Sequence, residues 1–78
     1  MKLLEYGSIC RIVVNYDDPI LLNVKLAHAT NMSVVKLLES PTGSGFRCVK
    51  ILNGFYFDGK YIRPGLVLYV VESWIKKF

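Results

Sequence analysis

Few side chains in this sequence could do covalent or metal chemistry, and their spacing argues against both. Cys10, Cys48 and His28 are the soft or nucleophilic groups. A structural zinc site takes four ligands, usually in close pairs. Neither cysteine has a second Cys or His at two to four residues, so no metal is expected. A catalytic thiol needs a base within hydrogen-bond reach and an electropositive setting. Arg47 and Lys50 flank Cys48 and supply the setting, but nothing supplies a third, orienting group. Asp17 and Asp18 are adjacent, so on a strand they would point apart. With Pro19 they read as a turn or as a helix start. Gly43-Ser44-Gly45 lacks the lysine and following helix of a phosphate-binding loop. His28 reads as a polar residue at a strand end. The expectation is a protein that is not an enzyme, with no catalytic residue, no cofactor and no metal.

The remaining chemistry is aromatic and basic. Phe46 to Arg63 carries Phe46, Phe55, Tyr56, Phe57 and Tyr61, together with Arg47, Lys50, Lys60 and Arg63, against the single anion Asp58. On a strand, Tyr56 must face opposite to Phe55 and Phe57. One side is core, so at least one ring should reach the surface. An exposed tyrosine among cations suits stacking on a base with phosphates alongside. It equally suits a protein hot spot, where Tyr and Arg are enriched. Filling of a small core is the competing role for the same rings. The candidate binding set, for protein or nucleic acid, is Arg47, Lys50, Tyr56, Lys60, Tyr61 and Arg63.

Those residues must be positioned by one small domain spanning 1–78, since 78 residues make a single core. Apolar residues reach 53%, above the usual ~45–50%. Such an excess implies strands buried on both faces, or an apolar patch left for a partner or a second copy. The formal charge of +4 allows an acidic partner without requiring one, because no block of five cations occurs. No apolar run approaches the ~18 residues that cross a bilayer, and Glu5 interrupts any signal-peptide core. A cytoplasmic protein without membrane contact is expected. Two cysteines are too few for a disulfide scaffold.

Ser8–Tyr16 alternates as a strand, with Cys10, Ile12, Val14 and Tyr16 on one face and Ile9, Arg11, Val13 and Asn15 on the wetter one. Met1–Glu5 could add an edge strand. Over Ile20–Ala29 both a strand and a helix fit. Alternation of Leu22, Val24 and Leu26 favours the strand, since Asn23, Lys25 and His28 do not gather on one helical face. Met32–Glu39 resumes strand character, Ser40–Gly45 is a loop, and the two flanking segments make an antiparallel pair. Asp58-Gly59 predicts a tight hairpin, because a type I′ turn needs positive φ at both central residues. Gly54 of Asn53-Gly54 then becomes a bulge or sharp bend in one long strand. Pro64-Gly65 turns again, Leu66–Val71 is a last apolar strand, and Glu72–Phe78 extends it or forms a helical turn from Ser73. Trp74 and Phe78 would close one end of the core.

Five or six short strands with turns every ~10 residues indicate an all-β fold. The expected architecture is a small, strongly bent antiparallel barrel that resembles the SH3-like kind. The alternative is α+β, with one helix at about 19–29 packed on a four-stranded sheet. The tyrosine and tryptophan motifs of peptide-binding SH3 domains are missing, so a proline-rich ligand is not implied. Gly54-Phe55-Tyr56-Phe57 resembles the aromatic run of cold-shock barrels over four residues. That family's second aromatic motif is absent, and no binding residues carry over. The functional expectation is a small binding module that docks on or inhibits a larger protein. Very small chains of this kind, acting on host machinery, are common in phages. A nucleic-acid-binding barrel and a self-assembling structural subunit, a homo-oligomer, are the alternatives.

Overall fold

The computed structural model describes residues 6–17, 24–39 and 43–77. The expected edge strand over Met1–Glu5, Pro19 and Phe78 lie outside the described residues. In chain order the elements are β1 (Ile9–Ile12), α1 (Val24–Thr30), β2 (Val34–Leu37), β3 (Phe46–Ile51), β4 (Phe55–Phe57), β5 (Lys60–Ile62) and β6 (Val67–Val71). A 3-10 turn (Glu72–Trp74) and β7 (Ile75–Lys77) complete them.

Five strands form one antiparallel sheet in the order β6-β3-β2-β1-β7, and β4 and β5 form a separate two-stranded ribbon. Alternation builds the sheet, and over β1 it does so as expected. Cys10 and Ile12, Val35 and Leu37, Arg47, Val49 and Ile51, and Val70 all point inward and are buried. α1 packs against β4. Ala27 from α1, Phe55 from β4, and Trp74 and Ile75 near the C-terminal end join those strand residues in a single core cluster. The antiparallel pairing of β2 with β3, Val35 opposite Ile51 and Leu37 opposite Val49, is the one anticipated.

The sheet does not close into a hydrogen-bonded barrel, yet it is strongly curled. β6 and β7 are its two outer strands, and only the 3-10 turn separates them in sequence. Four steps of ~4.8 Å would hold the edges of a flat sheet ~19 Å apart. Three residues of 3-10 helix advance only ~6 Å, so the edges are rolled toward each other around the core. The turn is tied to both sides of the sheet. The Glu72 N–H donates to the Gly45 carbonyl just before β3 (2.9 Å), and the Val13 N–H donates to the Trp74 carbonyl just after β1 (2.7 Å).

Two expectations need correction. The strand over Ile20–Ala29 is not formed: residues 24–30 are helical, close to the alternative reading at about 19–29, while residues 20–23 lie outside the described set. Lys25 and His28 do share an exposed side at i, i+3, and Ala27 and Thr30 share the buried one. The Thr30 hydroxyl donates to the Leu26 carbonyl (2.8 Å), and Met32 ends the segment with φ +68°. The second correction concerns Phe46–Phe57, which is two strands rather than one bulged strand. The Asn53 side chain accepts the Val34 N–H (2.7 Å) at the start of β2, and the chain then leaves the sheet to enter the ribbon.

Candidate binding surface

The six candidate residues divide among three places. Tyr56 and Tyr61 sit directly opposite each other on β4 and β5, 71% and 55% exposed. Their rings contact at a centroid distance of 5.2 Å and an interplanar angle of 58°. The ribbon turns through Asp58 and Gly59, with φ of +52° and +78°, the two positive values that a type I′ turn demands. Phe55 anchors this ribbon in the core, and Phe57 and Ile62 pack against that core from its margin. Lys60 and Arg63 are exposed on and just beyond β5. An open hollow of about 410 Å³ lies beside the ribbon, lined by Lys25, His28 and Ala29 of α1 together with Tyr56, Phe57 and Asp58.

Gly54 explains why the tyrosine pair is held as it is. Its φ is ordinary, so the glycine is not there for backbone freedom. A Cβ at this position would overlap the Tyr61 hydroxyl and ring. Tyr61 lies across the bare backbone and is thereby fixed against Tyr56. Gly54→Ala is expected to swing Tyr61 outward at a cost of about 1 kcal/mol. The Tyr56–Tyr61 ring contact should disappear, seen as loss of ring-to-ring cross-peaks by NMR with the rest of the spectrum retained.

Arg47 does not belong to the binding surface. It shares the inward side of β3 with Val49 and Ile51 and is 1% exposed. Its guanidinium donates from Nη2 to the Glu39 carbonyl (2.8 Å) and meets Glu72 Oε1 through Nη1 (3.4 Å). The Glu39 carboxylate in turn accepts the Cys48 N–H (3.3 Å). Arg47 is therefore a clamp between the end of β2 and the 3-10 turn. Lys50 is exposed on the outward side of β3 and is not part of the tyrosine ribbon. Its cross-strand neighbours are Lys36 and Val67.

Sequence reasoning missed the outward side of the sheet. Strand alternation places Ile9 and Arg11, Val34 and Lys36, Phe46, Cys48 and Lys50, and Val67, Tyr69 and Val71 there. The same parity argument would have found them, since Lys50 is in step with Phe46 and Cys48 whereas Arg47 is in step with Val49 and Ile51.

The two thiols are free. Burial pushes the Cys10 thiol up from its ordinary value, against the weaker opposing pull of Arg47 and Lys77. Cys10 thus stays protonated and behaves as a small core residue. His28 Nδ1 lies 3.3 Å from the Tyr16 hydroxyl, and the two rings pack at 4.8 Å. Among the described residues, no group of three or more His, Cys, Asp and Glu side chains gathers to hold a metal, and no helix is long and apolar enough to cross a membrane. No protein-family model, no curated protein and no solved structure matches this sequence.

Proposed function

We propose that the protein is a non-enzymatic binding module, a partly open SH3-like barrel whose Tyr56–Tyr61 ribbon docks on a larger protein and modulates it. The curl of the sheet, with its two outer strands joined by a single 3-10 turn, supports the barrel reading. The observation that carries the docking reading is the exposed, mutually packed tyrosine pair, pinned over Gly54 and rooted in the core through Phe55. Tyrosine suits such a role because it offers large contact area for little side-chain entropy, with a hydroxyl for one directed hydrogen bond. Here the ring packing has already removed much of that entropy. Lys60 and Arg63 are exposed close by in sequence and would form a polar rim, the usual surround of a hot spot.

Capture from a nuclease-treated lysate of the source cells tests this reading. Wild-type bait should retain a protein in near-stoichiometric amount, and a Tyr56→Ala/Tyr61→Ala double variant of equal thermal stability should lose it. Wild type retaining nothing, or the double variant retaining the same protein, would overturn the docking role of the ribbon.

A further inference from the structure

A second surface, independent of the tyrosine ribbon, lies on the outward side of the five-stranded sheet. Among the described residues, the charged side chains at its strand positions are all cationic. Lys36 and Lys50 stand directly opposite each other on β2 and β3, and Ile9 and Val67 continue that row to either side. Arg11 and Lys76 are likewise opposite each other on β1 and β7. No Asp or Glu occupies any strand position of this sheet among the described residues. Like charges placed directly across two strands destabilise a sheet. A solvated antiparallel face ordinarily mixes both signs and avoids that cost. The same face exposes Tyr69 (66%), Val67 (50%) and Phe46 (44%). Tyr69 pairs with Cys48, the next outward-facing pair along the ladder from Lys50–Val67, with Val49–Leu68 between them.

We infer that this face binds single-stranded nucleic acid, with Lys36, Lys50 and Lys76 on phosphates and Tyr69 stacking on a base. Cations in a row beside an exposed ring are the two elements of sequence-tolerant single-strand binding. The shape favours a single strand over a duplex. The sheet curls around its inward core, so the outward face is convex. A convex face does not enter a duplex groove broadly, but a flexible strand drapes over it with its bases turned toward the rings. An acidic protein segment is the competing occupant. It would satisfy the lysines but would leave Tyr69 without a flat aromatic partner.

Fluorescence anisotropy with a labelled single-stranded DNA of about 15 nucleotides tests the inference. Binding tighter than roughly millimolar at ~50 mM salt is expected, with log K falling against log salt at a slope of about −2 for three lysines on phosphates. In Lys36→Gln/Lys50→Gln the slope should shrink toward about −0.7. The same variant should melt at an unchanged or higher temperature, because a repulsive pair has been removed. Tyr69→Ala should weaken binding about tenfold with the slope intact. Saturating DNA should slow maleimide labelling of the half-buried Cys48, while the fully buried Cys10 serves as an unreactive internal control. Tyr56→Ala/Tyr61→Ala should bind DNA as wild type does, so this test and the capture experiment fail separately. The inference is overturned by the absence of binding at ~50 mM salt or by a slope that the lysine variant leaves unchanged. Equal affinity for duplex with no effect of Tyr69→Ala, or equal competition by polyglutamate at matched charge, would also overturn it.

Discussion

Arg47→Ala is expected to remove most of the protein's stability at 25 °C. The side chain is 1% exposed and holds both the Glu39 carbonyl and Glu72 Oε1. Truncation would orphan a carbonyl, remove the counter-charge of Glu72 and empty the space filled by a long stem. Removing one partner of a buried pair costs about 3–5 kcal/mol. Glu72 is 29% exposed, so solvent screens part of that attraction, and the lower end of the range applies. A domain of this size holds only about 3–5 kcal/mol in total, so even about 3 kcal/mol is decisive. Arg47→Met should behave differently. Its stem still packs, and it removes a buried Nε that has no hydrogen-bond partner. A loss of about 1 kcal/mol is expected for Met, and less than about 1 kcal/mol for Glu72→Gln. Urea unfolding followed by circular dichroism measures all three. A change within about 0.5 kcal/mol for Arg47→Ala would return the residue to the surface.

Trp74→Ala is expected to be at least as damaging. Trp74 is the only tryptophan, 9% exposed, and belongs to the core cluster. It sits on the 3-10 turn that joins the two outer strands of the sheet, so its ring packs where the curled edges approach. Burial of such a ring is worth about 3–5 kcal/mol on truncation, comparable with the whole stability of the domain. The Val13-to-Trp74 hydrogen bond uses the backbone, so the loss reads out what the side chain contributes. Trp74→Phe should retain a cooperative transition at a lower midpoint, whereas Trp74→Ala should show no cooperative thermal transition by circular dichroism. A normal melt for Trp74→Ala would mean that β6 and β7 are held without it.

The parts of this fold legible in the sequence were those governed by local rules. Period-two alternation marked β1, the Ser40–Gly45 loop marked the β2–β3 pair, and Asp58-Gly59 marked the ribbon turn, because the constraint and its signal occupy the same few residues. The helix at residues 24–30 was misread for the opposite reason. Seven residues with two alanines are too short to form a helix by propensity alone. What holds this one is packing against β4 and burial of Ala27 in the core, contacts set by distant parts of the chain. Gly54 was also misread, since its partner is the Tyr61 ring and no local pattern announces that. Arg47 was the avoidable error. Charge was given priority over parity, yet Arg47, Val49 and Ile51 fall on one side of a strand by spacing alone. The aromatic half of the candidate site was correctly found on the surface, while its cations are dispersed among the core, the ribbon and the opposite side of the sheet.

The register between the first and last strands has a consequence for how the molecule comes into being. Ile12 pairs with Ile75, so the sheet joins two strands that are far apart in sequence. The other pairings of this sheet join strands closer in sequence, whereas this one needs the first and last described strands together. Closing so long a loop is slow compared with local pairing. During folding the β7-facing edge of β1 therefore stays bare after its β2-facing edge has paired. Lys76 and Lys77 place charge along this outer strand of the sheet, where further strands would otherwise add.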